Sequence, residues 1–312
     1  MNSFIIAFNA VFPFLFYISF GYLTRTAGVV DEAFMKKLNQ MTFRVFFPLM
    51  MFYNLYDRKP GQKLNYAFVT AAVFSVLLLV FILFLLIPRM VKENPRRGVL
   101  IQGIYRSNFV LFAIPLTENI FGHAGTATAS MLVAVIVPIY NVTAIILLEY
   151  FRGGSIRPLG LIKKVLSNPL ILGAVAGAAA FLLDFRLPSG VETPISEFSS
   201  MTTPLALFVL GGTLRFSSMR SNLKYLVPAI AAKLILLPAI ALAAASAMSF
   251  GPLETFVYFT MFATPTATAS YPMASNMDGD GALAGELVVL STCISVITIF
   301  LWVFILNSRG MI

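Results

Sequence analysis

The chain has 312 residues, of which 59% are hydrophobic and only 11% are charged, and its mean hydropathy is +0.87. A soluble domain carries roughly a quarter charged residues, so this composition excludes an ordinary water-soluble fold and predicts that most of the chain lies in a lipid bilayer. The net charge of +9 does not indicate nucleic-acid binding, because the basic residues fall almost wholly between apolar runs, as they do in membrane proteins.

Apolar runs of about 20 residues, the length that spans a bilayer as a helix, occur ten times along the chain. The residues that flank the first run argue against a signal peptide, since no Lys or Arg precedes the run and Arg25 follows it. The fold class is therefore expected to be an all-α polytopic membrane protein with ten transmembrane helices. These predicted spans, numbered one to ten, cover approximately residues 3–23, 39–56, 66–88, 99–121, 126–150, 167–186, 197–214, 223–248, 254–276 and 284–307.

The distribution of basic residues predicts the orientation of these spans. Fourteen Lys and Arg residues fall in the connections that follow spans one, three, five, seven and nine, against five on the opposite side. The side richer in Lys and Arg is normally cytoplasmic. Both termini are therefore expected to be extracytoplasmic, in a multi-pass protein of the cell (inner) membrane.

Two short sequence matches predict an internal repeat. A shift of 156 residues places residues 48–52 (PLMMF) on residues 204–208 (PLALF). A shift of 157 places Pro115 in span four on Pro272 in span nine. The two offsets agree and divide the chain into two sets of five spans, residues 1–155 and 156–312. Because five is odd, the second set would cross the membrane in the opposite sense, as an inverted repeat.

The repeat predicts a pair of broken helices. Inverted-repeat transporters place their substrate site near the bilayer midplane, where discontinuous helices of the two halves meet. Pro115 and Pro272 are predicted to mark these breaks, with Pro265 in the position opposite Asn108, because proline removes a backbone donor and clashes with the preceding turn. Each half-helix that starts at a break presents unpaired N–H groups and the positive end of its dipole, which favours an anion.

Polar side chains near the predicted breaks are candidate ligands of such an anion. Asn108 offers an amide beside the first break. Tyr140 and Asn141 in span five are candidates for lining the cavity, with packing or hydrogen bonding between helices as the alternative. The candidate substrate-binding residues are Asn108, Pro115, Tyr140, Asn141, Thr266, Thr268, Ser270, Pro272 and Asn276.

Charged residues inside the predicted spans are functional candidates, because charge within a bilayer is expensive. Lys233 lies roughly 15 Å into span eight at the helical rise, near the midplane. It could balance substrate charge or switch with transport, or it could form a structural pair with Glu286 or another buried acid. Arg106 could draw anions toward the site or extend to lipid phosphates. Glu118 could cap or gate the outer half-helix of span four, or it could be a solvated acid.

Several segments resemble the auxin efflux carrier family, which includes the plant PIN-FORMED carriers and bacterial members linked to malonate and similar organic anions. The likeness runs from span one to span ten, and the spacing in span four is its most specific part. The similar segments are Asn108 with IPL (residues 114–116) and FG (residues 121–122), LLEYFRGG (residues 147–154), SNPLILGAVAG (residues 167–177) and PLALFVLGGTL (residues 204–214).

The resemblance implies a scaffold of spans one, two, six and seven, a transport domain of spans three to five and eight to ten, an elevator motion and a homodimer. It also implies that Asn108 is the crossover asparagine beside the anion and that Pro115 is the crossover proline, whereas Pro272 matches more loosely. Some plant members use an Asp and a Lys on the third helix for proton or charge handling. Span three here carries no charge, so the resemblance implies nothing about proton coupling.

The expected function is therefore a secondary active transporter or uniporter of small organic anions, carboxylates such as malonate or auxin-like acids. Two alternatives remain open: a sodium-coupled organic anion symporter, with cation ligands among Thr264, Thr266, Thr268 and Ser270, and an anion-sensing membrane receptor. One histidine and no catalytic pair predict no enzyme, cofactor or metal site. The expected partners are the anion, a coupling proton or sodium ion, the bilayer and a second copy of the chain.

Overall fold

The computed structural model describes residues 2–57, 65–152, 158–214 and 216–312, and these residues form helices joined by short connections. Two π-helical turns, Thr42–Phe46 and Ala232–Leu236, join α2 to α3 and α10 to α11. The α-helices are α1 (Asn2–Thr26), α2 (Glu32–Met41), α3 (Phe47–Tyr56), α4 (Tyr66–Met90), α5 (Asn94–Tyr105), α6 (Phe109–Phe151), α7 (Pro158–Leu166), α8 (Pro169–Leu182), α9 (Ser189–Thr213), α10 (Phe216–Ala231), α11 (Leu237–Ala247), α12 (Pro252–Ala263), α13 (Ser270–Asn276) and α14 (Gly281–Ser308).

Each of the ten predicted ranges is largely helical. The helix α7 and most of α2 lie outside those ranges, because both are too short and too polar to give a membrane-spanning signal. Among the described residues, four segments are long and apolar enough to cross a membrane: Tyr66–Met90, Ala124–Phe151, Met219–Ala247 and Gly281–Ser308. The structure is therefore that of an all-helical protein with clearly apolar, membrane-compatible helices.

Spans four and nine are both interrupted. Of the three candidate prolines, Pro265 lies in the second break, whereas Pro115 and Pro272 lie in neither break. The chain is unwound at residues 106–108, between α5 and α6, and at residues 264–269, between α12 and α13. Pro115 lies inside α6 and Pro272 lies inside α13. Both interruptions therefore come several residues earlier in the chain than the prolines that predicted them.

Proline nevertheless explains the second break. Thr264 has extended backbone angles (φ −79°, ψ 153°) and precedes Pro265. A residue before proline is disfavoured in the helical region, because the proline ring clashes with its backbone. The helix α12 therefore ends at Ala263. Arg106 likewise has extended angles (φ −83°, ψ 112°) and ends α5 without a neighbouring proline.

A glycine turns the chain between spans four and five. Gly122 has φ 61° and ψ −147°, and this residue divides α6 into Phe109–Gly122 and Ala124–Phe151. Backbone angles in this region are open to glycine and strained for residues with a side chain. The two parts of α6 are therefore two helices that meet at a sharp bend.

Two glycines bring helices that are distant in the sequence into backbone contact. A Cβ atom on Gly21 in α1 would lie 1.9 Å from the carbonyl oxygen of Phe208 in α9, and a Cβ on Gly177 in α8 would lie 2.2 Å from that of Phe52 in α3. Adding 156 to Gly21 gives Gly177, and adding 156 to Phe52 gives Phe208. The same close approach is therefore made twice, at the offset that the sequence match indicates.

The helix bounds follow the same offset. The segments Ala124–Phe151 and Gly281–Ser308 each have 28 residues, and they start 157 residues apart. The helices α5 and α12, which precede the two breaks, each have 12 residues and start 158 residues apart. The lengths and positions of these helices therefore agree with the offset of the short sequence matches.

Ion pairs hold the acidic loop before α14 to two other connections. The Nε atom of Arg96, in α5, lies 3.0 Å from Asp280 Oδ2, and the Nε atom of Arg152, after α6, lies 2.6 Å from Asp278 Oδ2. The connections after spans three, five and nine therefore meet at one end of the helices, as alternate connections must if each span crosses once. Five basic residues of the orientation count, Arg58, Lys59, Lys63, Arg157 and Arg215, lie outside the described residues.

We expect Gly21→Ala and Gly177→Ala to destabilise the protein, because each added methyl group would meet a carbonyl oxygen that cannot move without separating two helices. Overpacking of this kind costs about 2 kcal/mol or more. The matched control is Gly190→Ala in α9, where a Cβ meets nothing within 4 Å. Thermal unfolding of the detergent-purified variants measures the effect. Equal midpoints for Gly21→Ala and Gly190→Ala would contradict the close packing of α1 on α9.

Candidate functional site

The two unwound segments pair with each other through their main chains. The backbone N–H of Asn108 donates to the carbonyl oxygen of Pro265 (2.8 Å), and that of Ala267 donates to the carbonyl oxygen of Arg106 (3.1 Å). These two bonds form a single antiparallel β-bridge in which Ser107 lies opposite Thr266. Buried backbone groups need hydrogen-bond partners, and here each unwound segment provides partners for the backbone groups of the other. We call this pair of segments, residues 106–108 and 264–269, the crossover.

Hydroxyl and amide side chains fasten the second segment to its surroundings. The hydroxyl of Thr266 donates to the carbonyl oxygen of Gly103 (2.7 Å), and the N–H of Thr266 donates to Ser291 Oγ (3.1 Å). Gln102 Nε2 donates to the carbonyl oxygen of Ser270 (3.2 Å). The hydroxyl of Thr266 is therefore already bonded to the protein and is turned away from the cavity described next.

A cavity of about 980 Å³ lies between the crossover and the helices α1, α3 and α9. Its lining is polar at the crossover and largely apolar on α1 and at Met50 and Met51 of α3. Among the described residues that line it, Arg106 is the only charged side chain. The lining consists of Pro13, Phe14, Tyr17, Met50, Met51, Asn54, Arg106, Ser107, Asn108, Phe109, Val110, Leu111, Pro115, Asn119, Val137, Tyr140, Asn141, Ser199, Ser200, Thr203, Pro204, Ala267, Thr268 and Ala269.

Asn108 lines this cavity and has a buried hydrogen-bond donor without a partner among the described residues. The residue is only 7% exposed, and its Nδ2 atom has no hydrogen-bond partner among the described residues. It occupies the N-cap position of α6, yet its side chain does not cap the helix. The first-turn residues Phe109, Val110 and Leu111 line the same cavity. The start of α6, which has no side-chain cap, and the residue with the unpartnered amide donor thus border one cavity, an arrangement that favours a negatively charged ligand.

Arg106 adds a buried positive charge at the same place. Its side chain is 3% exposed, with one guanidinium nitrogen donating to Asn141 Oδ1 and the other to the sulfur of Met273 (2.8 Å). In the described part of the chain, no carboxylate oxygen lies within 4.0 Å of it. Buried charges are normally paired, so an arginine that has only neutral partners and borders a cavity is suited to an anion.

Lys233 lies behind the crossover. It is 1% exposed, and its Nζ atom donates to the hydroxyl of Ser107. The expected alternative, a pair with Glu286, is not formed: a carboxylate oxygen of Glu286 accepts from Asn222 Nδ2 (2.8 Å). Asn222 and Lys233 are eleven residues apart, which is roughly 16 Å along a helix. Lys233 therefore reaches the cavity through Ser107 and does not line it.

The structure divides the predicted site residues into two groups. Those that line the cavity are Arg106, Asn108, Pro115, Tyr140, Asn141 and Thr268. Those that do not are Glu118, Lys233, Pro265, Thr266, Ser270, Pro272 and Asn276. The side chain of Asn276 donates to the carbonyl oxygen of Pro272 within its own helix (2.7 Å), and Glu118 is exposed on α6.

One electrostatic expectation also changes. The sequence predicts two half-helices whose N-termini both face the anion. The second, α13, has only seven residues, too few for a substantial helix dipole. The argument for an anion therefore rests on the start of α6, together with Asn108 and Arg106.

Sequence reasoning missed the cavity wall formed by α1, α3 and α9. Side chains such as Asn54, Ser199 and Thr203 carry no pattern that distinguishes them from packing residues, and only the fold brings them opposite the crossover. The sequence held one indication of a role for Ser107, namely its position between the predicted site residues Arg106 and Asn108. The hydroxyl that connects Lys233 to the cavity could have been proposed from that position.

Comparison with known proteins shows similarity over almost the whole chain. The family model described as "Membrane transport protein" matches residues 6–157 and 155–303. A protein of Rhizobium meliloti named "Putative malonate transporter" is 25% identical over 315 residues, covering 96% of each chain. An uncharacterized transporter of Methanocaldococcus jannaschii is 23% identical, covering 96% of this chain and 99% of its own.

A third relative, an uncharacterized transporter of Methanothermobacter thermautotrophicus, is 22% identical and covers 96% of this chain and 98% of its own. The family and these relatives are transporters and not enzymes. This agrees with the apolar helices and with the sequence segments that resemble the auxin efflux carrier family. The chain belongs to the auxin efflux carrier family of membrane transport proteins.

Proposed function

We propose that this protein carries small organic anions, with a carboxylate held at the crossover. The observation that carries the proposal is a cavity bordered by the free amide of Asn108 and the guanidinium of Arg106, with no carboxylate among its described lining residues. Both groups are hydrogen-bond donors, and no described acid neutralises the guanidinium. A carboxylate would accept from the amide, the guanidinium and the first-turn N–H groups of α6.

The cavity suggests how the rest of the substrate is oriented. A carboxylate at the crossover leaves the remainder of the molecule facing α1, α3 and α9. Hydroxyl and amide groups on that side, at Asn54, Ser199, Ser200 and Thr203, could bind a second carboxylate, whereas Phe14 suits an apolar group. The relative named for malonate supports a small dicarboxylate. Malonate is therefore the first substrate to test, and indole-3-acetate represents the larger, apolar alternative.

The proposed mechanism is alternating access. The cavity separates α1, α3 and α9, which belong to the proposed scaffold of spans one, two, six and seven, from the crossover, which belongs to the proposed transport domain. In an elevator motion the crossover and its anion would move past this wall as a unit. The contacts of Gly21 and Gly177 support a scaffold packed at backbone distance, since both join scaffold helices to each other.

The same proposal includes ten membrane crossings in two inverted halves, residues 1–155 and 156–312. The protein would lie in the cell (inner) membrane with both termini on the extracytoplasmic side. The matched glycine contacts and the matched helix bounds support the repeat. The meeting of three alternate connections at one end, through Arg96 and Arg152, supports the crossings. A homodimer formed through the scaffold is part of the proposal on family resemblance alone.

A sodium-coupled symporter is the second candidate function. Two buried hydroxyl oxygens of the crossover region, Thr264 Oγ1 and Ser270 Oγ, have no partner among the described residues and could serve as cation ligands. Against this, the guanidinium of Arg106 places a buried positive charge beside the same segments. An anion-sensing receptor would use the same site without net transport.

Uptake into proteoliposomes distinguishes these functions. Labelled malonate, other dicarboxylates and indole-3-acetate are offered while a proton gradient, a sodium gradient and a membrane voltage are imposed separately. We expect saturable uptake of a carboxylate, with no requirement for sodium. Uptake that depends on sodium would select the symporter. Binding without flux under every gradient would select the receptor and would refute the carrier.

We expect Asn108→Ala to weaken malonate binding by ten- to one-hundredfold, because a hydrogen bond to a charged group contributes about 1.5–3 kcal/mol. Calorimetric titration of the purified protein measures the affinity. The matched control is Asn276→Ala, which removes an amide bonded within α13 and away from the cavity. Unchanged affinity in a folded Asn108→Ala protein would remove Asn108 from the site.

We expect Arg106→Gln to lower malonate affinity by about thirtyfold or more, because it removes the one described charge that lines the cavity. The glutamine amide can still donate to Asn141, which limits structural damage. Arg97→Gln is the control, since Arg97 lies near the start of α5 and its guanidinium bonds Asn94 and main-chain carbonyls. Equal affinities in the two variants would assign Arg106 a structural role.

A further inference from the structure

The amine of Lys233 occupies an unusual place in the fold. It lies in the π-helical turn Ala232–Leu236, which joins α10 to α11, and it is 1% exposed. Such turns inside α-helices occur frequently at functional sites. Its described hydrogen-bond partner is the hydroxyl of Ser107, which lines the cavity between Arg106 and Asn108. Lys233 is thus one hydroxyl group away from the proposed anion.

The elements packed against this turn are α5, α10, α11, α12 and α14. The buried titratable groups on these elements, or directly at their ends, are Tyr105, Arg106, Tyr258 and Glu286. Tyr105 shares a hydrogen bond with Thr143 (2.8 Å) and Tyr258 with Ser75 (2.6 Å). Glu286 accepts from Asn222, about three helical turns from Lys233. Among the described residues, no acid lies within ion-pair distance of the amine.

A buried ammonium with no acid beside it is costly, and a bound anion would lower that cost. We propose that Lys233 is the proton-binding site that couples transport to protons: the amine is neutral when the cavity is empty and becomes an ammonium when an anion occupies the crossover. This inference rests on the proposed function. The anion and the proton then bind cooperatively, and each raises the affinity for the other by the same factor.

The proton has a defined route. A hydronium ion in the cavity protonates the oxygen of Ser107 while the hydroxyl of Ser107 passes its own proton to the neutral amine. An N–H bond and a new O–H bond form as the original O–H bond of Ser107 and one O–H bond of the hydronium break, so the hydronium becomes water and the net proton comes from the solution. When the anion leaves on the other side, the same steps run in reverse, and the proton returns to water there. Lys233 is therefore a positioning and charge-balancing residue that acts on the anion through Ser107.

The pH dependence of binding follows from this linkage. At a pH where the empty protein holds Lys233 neutral, each anion must bring a proton with it, and affinity falls by ~tenfold for each unit that the pH rises. At a pH low enough to protonate the empty protein, no proton is taken up and affinity no longer changes with pH. The sign is therefore tighter binding at lower pH, up to a plateau.

The test is calorimetric titration of malonate into the purified full-length protein, in buffers with different enthalpies of ionisation, across a series of pH values. The difference between buffers gives the number of protons taken up per malonate bound. Lys233→Arg is the central variant, because a guanidinium stays protonated. Lys224→Arg, at an exposed position on α10, is the matched control. We expect about one proton per malonate in the wild type and the control, and none in Lys233→Arg.

Two further variants test the same role without a bulkier side chain, in case the arginine of Lys233→Arg disturbs packing. Lys233→Met removes the amine at similar volume, and Ser107→Ala leaves the amine but removes its contact with the cavity. We expect proton uptake to be lost in both. Uptake in Lys233→Arg or Lys233→Met equal to that of the wild type would overturn the assignment.

The two proposals fail in distinguishable ways. Wild-type protein that binds and transports malonate without proton uptake at any pH would overturn the role of Lys233 and leave the anion carrier intact. Wild-type protein that transports none of the carboxylates would overturn the carrier itself. In proteoliposomes, a proton gradient should drive malonate accumulation by the wild type and by Lys224→Arg, and not by Lys233→Arg.

Discussion

The crossover exists because polar main-chain groups cannot be left unpaired in an apolar interior. Interrupting a helix exposes carbonyl and N–H groups that would otherwise bond within it, and each such group costs several kcal/mol in a medium without water. The segments 106–108 and 264–269 meet this constraint by bonding to each other, through Asn108 to Pro265 and Ala267 to Arg106. One interrupted helix alone would lack these partners. The two breaks are therefore a single structural unit, and the cavity forms beside it.

The polar groups around this unit fall into two classes. Thr266 and Gln102 bond to the protein and hold the second segment in place. Asn108 has a donor without a described partner, and Arg106 has a charge whose described partners are neutral. Groups of the first class explain why the unwound chain is stable, and those of the second class are what a ligand can use. The chemistry of the site follows from the second class alone.

Helix positions and the pairing of spans four and nine could be predicted from the sequence, because both depend on local hydrophobicity and on repeat spacing. The exact place of each break could not. Pro115 and Pro272 are tolerated inside α6 and α13. The helix α5 ends at Tyr105 with no local signal, because the partner segment that stabilises this break is more than 150 residues away. The wall formed by α1, α3 and α9 was hidden for a similar reason, since its residues become neighbours of the crossover only through packing.

The bridge between the two segments is built from main-chain atoms, and this has an evolutionary consequence. Exchanging the side chain at Ser107 or Thr268 leaves every bond of the bridge unchanged, because neither side chain takes part in it. Even Pro265 contributes only its carbonyl oxygen, so its missing N–H is no defect there. Side chains around such a bridge can therefore change, and substrate preference with them, while the backbone stays constant. Low sequence identity between family members is compatible with strict conservation of the geometry at the crossover.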